Sequence, residues 1–240
     1  MALPQLNTAT YELTIPSSKQ KIEYRPFLVK EEKVLLMAME TGNAMDVQRA
    51  VRNLITACTF DKLDVQTLTS FDLDYMFLQL RARSIGENIK LNIKCDECGE
   101  RTPVKINVDD IKPSEFDESK GFKYQLTNDI GVIMRFPRMM DIQRFEKERD
   151  PDDMTVADAF ISLMAASIES IYDADTVYPA EDHSVQELVD FVENLKKDQY
   201  DIVNKFFEAV PKIATDLEFK CDKCGHDNHT HLEGLKDFFG

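Results

Sequence analysis

Two short segments of this 240-residue chain constrain its fold more than any others: Cys95-Asp96-Glu97-Cys98-Gly99 and Cys221-Asp222-Lys223-Cys224-Gly225. A Cys-x-x-Cys turn aims two thiolates at a point about 2.3 Å from a Zn²⁺, and the glycine after it lets backbone amides turn toward the sulfurs. Two such turns complete a tetrahedron. Each follows an extended segment, 91–94 before the first and 217–220 before the second, as in a zinc ribbon. The two turns look like copies of one device. Cys95, Cys98, Cys221 and Cys224 are therefore the candidate ligands of a structural zinc.

The separation of the pairs is unusual. Cys95 and Cys221 stand 126 residues apart, where a compact finger closes over about 15–20. A metal here staples distant parts of the chain, and closing so long a loop has substantial entropic value. Four sulfurs leave no coordination position for water, which makes the role structural. Redox pairs and disulfides are the competing readings. A cytoplasmic location argues against disulfides, and a thioredoxin-like pair would open a helix rather than sit between strands. His226, His229 and His231 follow the second turn and read as exposed loop residues, with ligation in place of a cysteine as the alternative. His183 reads as leading into a helix, and Cys58 as a small buried hydrophobe.

Periodicity divides the remainder. Tyr11, Leu13 and Ile15 alternate before the turn residues Pro16-Ser17-Ser18, and Ile22, Tyr24 and Phe27 resume an extended run, which predicts a hairpin. Three helices are expected next: one over Val34–Met39 stopping near Gly42, one capped by Asn43, and one after Ser70 ending near Gly86. Strand patterns flank the first cysteine pair, and 122–126 with 132–136 form another strand pair. Beyond Pro151 a long helix is expected through Val156, Phe160, Leu163, Met164, Ser167 and Ile168. Ser184 and Glu187 form a capping box for a later helix. The fold class is α+β, with a helical N-terminal part, central β hairpins, and C-terminal helices closed by the zinc-ribbon-like pair of knuckles. The expected divisions are 1–87, 88–150 with the first knuckle, and 151–240 with the second.

Composition excludes several functions. The net charge of −15 gives phosphates nothing to attract them, since non-specific nucleic-acid binding rests on Lys and Arg displacing counterions. With 8 glycines the chain carries no phosphate-cradling glycine run. No apolar run of bilayer length and no signal-peptide pattern occur, so a cytoplasmic protein is expected. No H-E-x-x-H or G-x-S-x-G run offers catalysis. The carboxylates Asp72/Asp74 and Asp150/Asp152/Asp153 read as helix-start charges complementing the macrodipole. Most methionines fall on apolar faces, while Met139-Met140 could form an adaptable partner-binding patch.

The opening Leu3-Pro4-Gln5-Leu6-Asn7-Thr8, the run YRPFLVKEEK from Tyr24 to Lys33, and FDLDYMFLQLRARSIGE from Phe71 to Glu87 together resemble the baseplate hub assembly proteins of T-even-type tailed bacteriophages. The likeness covers nearly the whole chain and is most specific from Leu3 to Cys98. It implies a non-enzymatic assembly chaperone whose partners are phage baseplate hub proteins in the host cytoplasm or the virion tail, and it offers no catalytic residues. One alternative is a permanent structural subunit of the hub. The other is a zinc-ribbon regulator or nucleic-acid binder, which would present a basic face. The N-terminal segment either adds a strand to a partner, with Arg25-Pro26-Phe27 as anchor, or forms an internal hairpin.

Overall fold

Apolar–polar alternation yields the first hairpin, β1 (Tyr11–Thr14) against β2 (Lys21–Tyr24), with Tyr11 opposite Tyr24. The computed structural model describes residues 7–114, 116, 121–148 and 154–234. The hairpin is internal. Phe27 is buried and its N–H donates to Ser84 Oγ, while Arg25 pairs with Glu31 at 3.1 Å. The Arg25-Pro26-Phe27 anchor is thus occupied within the chain.

Three helices follow as expected: α1 (Val29–Glu40), α2 (Ala44–Cys58) and α3 (Ser70–Ser84). Asn43 caps α2, its side chain accepting from the Met45 N–H. Gly42 takes the left-handed φ of 68° that ends α1. Cys58 closes α2 fully buried. Asp72 does more than complement a dipole. Buried at the third position of α3, it accepts from the N–H and hydroxyl of Thr69 and from those of Ser17 in the first hairpin's turn. One carboxylate thus caps a helix and ties down a turn 55 residues away in sequence.

Contacts divide the chain into two compact units: Met1–Ser114 with Lys212–Gly240, and Glu115–Pro211. The division differs from three consecutive segments. Residues 212–234 return to the first unit because β9 (Ala214–Lys220) and β10 (Asp227–Glu233) bring the second knuckle back to β3 (Asn88–Lys94) and β4 (Arg101–Asn107). Leu78, Ile89, Leu91, Ile106, Val108, Ile111, Ile213 and Leu232 form one apolar cluster that α3 shares with both hairpins. The second unit is an insertion between those hairpins.

That inserted unit is built on a four-stranded antiparallel sheet ordered β5 (Lys123–Gln125), β6 (Gly131–Met134), β7 (Ile168–Tyr172), β8 (Val177–Pro179). Helices α4 (Met139–Glu148), α5 (Val156–Ala166), α6 (Val185–Glu193) and α7 (Lys197–Ala209) accompany it. Its core joins Met134, Met164, Ile168, Val189 and Phe206. The expected helix through Ile168 stops earlier. The Ser167 N–H bonds back to the carbonyls of Leu163 and Met164, and the Ser167 carbonyl accepts from Arg135, so Ile168 begins a strand. The Met139-Met140 pair opens helix α4, which the sequence pattern does not predict, with Met139 buried and Met140 exposed. The Ser184–Glu187 capping box forms as expected. Asp150, Asp152 and Asp153 lie outside the described residues.

Candidate metal centre

The first knuckle sits between β3 and β4 and the second between β9 and β10, and their backbones are built alike. Cys95 N–H donates to the Glu100 carbonyl and Gly99 N–H to the Cys95 carbonyl; Cys221 N–H donates to the His226 carbonyl and Gly225 N–H to the Cys221 carbonyl. Gly99 and Gly225 share a φ of 72°, a conformation that a Cβ disfavours. The likeness extends through the whole of both hairpins. At a constant offset of 126, Leu91 corresponds to Leu217, Lys94 to Lys220, and the seven-residue strands on either side match end to end.

The structure brings Cys95, Cys98, Cys221 and Cys224 together, all four sulfurs lying within 4.8 Å of one another. Across the two knuckles Cys95 Sγ is 3.7 Å from Cys224 Sγ, and Cys98 Sγ is 3.6 Å from Cys221 Sγ. A tetrahedron of sulfurs about 2.3 Å from a central Zn²⁺ has edges of about 3.8 Å. The donor set therefore fits a four-coordinate soft cation. Cys95 and Cys221 are buried, and Cys98 and Cys224 are exposed.

Electrostatics agree with that fit. The backbone N–H groups of Cys224 and Lys223 bring the Cys221 thiol down to about 6, and those of Cys98 and Glu97 lower Cys95. At Cys224 the His226 N–H favours the thiolate, but partial desolvation and the hydrogen bonds among the neighbouring sulfurs override it and push the thiol up to about 12. Four thiolates this close repel one another, and a divalent cation removes the conflict.

Two residues that sequence reasoning missed lie at the junction of the knuckles, and one of them bonds across it. Asn228, 3% exposed, accepts from the Asp96 N–H of the opposite knuckle at 2.9 Å and donates from Nδ2 to its own knuckle's His226 carbonyl at 3.0 Å. Thr102 is its counterpart at the 126-residue offset. It is also buried, its hydroxyl has no regular hydrogen-bond partner, and it favours the thiolate of Cys221 in the opposite knuckle. Each hairpin thus contributes the residue seven positions after its first cysteine to the other hairpin's turn. The signal was available in the offset, which carries beyond the two turns. Lys223 and Glu100 add an exposed ion pair between the knuckles at 2.8 Å.

The other candidates lie elsewhere. His229 and His231 stand on β10 rather than in a loop, and their ring nitrogens face carboxylates: His231 Nδ1 is 2.7 Å from Asp216 Oδ1, and His229 lies 3.8–3.9 Å from Asp216 and Glu218. The hydrogen bond with Asp216 raises the pKa of His231 and lowers that of Asp216. His226 serves the second knuckle through its carbonyl. His183 precedes the N-cap of α6. Burial pushes the Cys58 thiol up to about 11, which leaves it unreactive. Asp74 is raised to about 6 by desolvation.

Comparison with curated proteins and with solved structures gives no match. A family model described as T4 bacteriophage base plate protein matches residues 8–240. That span takes in both hairpins, all four clustered cysteines and the inserted unit, and the chain belongs to the T4 bacteriophage base plate protein family.

Proposed function

We propose that this protein is a non-enzymatic assembly factor that binds a component of the baseplate hub and promotes hub assembly, with a structural zinc on Cys95, Cys98, Cys221 and Cys224. Family membership gives it a role in the phage baseplate, which supports other baseplate proteins as its partners and tail assembly as its setting. The observation that carries the reading is the match across residues 8–240, since it embraces both compact units rather than one module. A factor that shields a partner's apolar surface until the hub closes needs a defined shape and no reaction. Zinc supports the shape by joining hairpins separated by the whole inserted unit. No helix among the described residues is long and apolar enough to cross a membrane.

Quantitative mass spectrometry of infected-cell lysate, baseplate intermediates and purified particles tests the role. An assembly factor is abundant in lysate and intermediates and nearly absent from particles. A fixed whole-number ratio to hub proteins in finished particles refutes this and makes the protein a permanent subunit. Absence from intermediates and particles alike returns the regulatory reading. Metal analysis of reduced, folded protein tests the cofactor separately: about one equivalent of zinc is expected, and less than about half an equivalent counts against the site.

A further inference from the structure

Helix α1 is attached to the protein by a single side. It has no buried residue, and its half-buried positions Glu31, Glu32, Leu35 and Ala38 lie on one arc at helical spacing. The opposite arc is exposed and carries Val29, Leu36 and Met37 among the charged Lys30, Lys33 and Glu40. Of the fourteen exposed large hydrophobic residues described, six fall between Leu28 and Met39, with Val29 at 80%, Met37 at 57% and Leu36 at 53%. Val29, Leu36 and Met37 share the exposed arc, and exposed apolar side chains grouped on one helix side mark a surface that another surface covers.

The pattern on that arc identifies the occupant. Lys33, Leu36, Met37 and Glu40 follow the i, i+3, i+4, i+7 spacing of one helical stripe. Lys33 and Glu40 are exposed, and neither forms an ion pair among the described residues. We propose that this stripe is a self-association surface, on which α1 of a second copy docks antiparallel about a two-fold axis between Leu36 and Met37. In that register Leu36 of each copy lies over Met37 of the other, and two Lys33–Glu40 pairs flank the apolar centre. A two-fold contact requires a self-complementary patch, and the stripe has one: base at one end, acid at the other, apolar side chains between. Antiparallel packing also opposes the two helix dipoles favourably. The net charge of −15 per chain resists pairing, but the Debye length of about 8 Å at physiological salt screens charges beyond the contact. One helix face is a small interface, so the dimer is weak and forms at micromolar concentrations or above.

Sedimentation equilibrium of the full chain over about 5–500 µM reads this directly. The wild type is expected to associate in that range, and Leu36→Glu to weaken association at least about tenfold with an unchanged circular dichroism spectrum, because the side chain is exposed. Lys33→Glu and Glu40→Lys each weaken the dimer. The double variant restores the net charge of −15 and both ion pairs, and so returns the wild-type affinity. A wild type that stays monomeric throughout, or a dimer indifferent to Leu36→Glu, overturns the proposal. Failure of the double variant to recover overturns the antiparallel register. A monomeric chain that loses a baseplate protein when Leu36 is changed overturns the choice of occupant.

Discussion

Replacing Asn228 with alanine isolates the contribution of the inter-hairpin clamp from that of the cysteines. The substitution removes two hydrogen bonds, one accepted from the Asp96 N–H at 2.9 Å and one donated to the His226 carbonyl at 3.0 Å. A buried backbone group left without a partner costs about 1–3 kcal/mol. The low end applies here. Asp96 and His226 lie at exposed positions where water reaches them, and the His226 carbonyl keeps the Cys221 N–H. A net loss of about 1–2 kcal/mol is expected, and it falls on the state in which both knuckles face one another. Cation affinity should drop about tenfold, within the range typical of groups that orient metal ligands. Competition with a chromophoric chelator at neutral pH measures this, with circular dichroism as the control for folding. An affinity within about twofold of wild type, in a folded variant, would refute the claim that Asn228 pre-orients the sulfurs.

Asp72→Ala deprives the Ser17 and Thr69 N–H groups of their shared acceptor and should destabilise the protein by about 2–4 kcal/mol in denaturant titration, the sum of a lost cap and a lost buried network. Gly131→Ala places a Cβ 2.1 Å from Tyr172 Oη and 2.8 Å from the Tyr124 carbonyl. Tyr172 must then release Gln125, and the melting temperature should fall by the equivalent of about 1–3 kcal/mol. Asp141 is desolvated, yet its bonds from Arg138 and Arg135 prevail and hold its carboxyl below the ordinary 3.8. A depressed folded-state pKa gives stability that is fully present above the unfolded value and is lost as pH falls through the folded one. The stability difference between wild type and Asp141→Asn should therefore be constant near neutrality and shrink below about pH 4, and a difference independent of pH would refute the assignment.

The local parts of this structure were legible because the physics that forms them is local. Asn43, Ser184 and Glu187 mark helix starts through side chains that reach backbone only two or three residues away. The knuckles announce themselves by ligand spacing, and the strands around them by alternation. Helix α4 and strand β7 were not read correctly, for opposite reasons. In α4, Met139, Ile142 and Phe145 mark one face within ten residues otherwise dominated by charge and amide groups. At β7, the apolar spacing of α5 runs on through Ile168, although Ser167 ends the helix by bonding back to Leu163 and Met164.

The sequence by itself determined that four cysteines form two matched turns, that the fold is α+β, and where most elements begin, since each of these rests on interactions spanning a few residues. Only the tertiary structure decided that 212–234 rejoins the first unit, that Asn228 reaches across to the opposite knuckle, and that Asp72 anchors Ser17 as well as its own helix. Those are pairings between residues 55 to 132 positions apart. Chain connectivity says nothing about such pairs; burial and hydrogen-bond satisfaction select them only once the elements have packed.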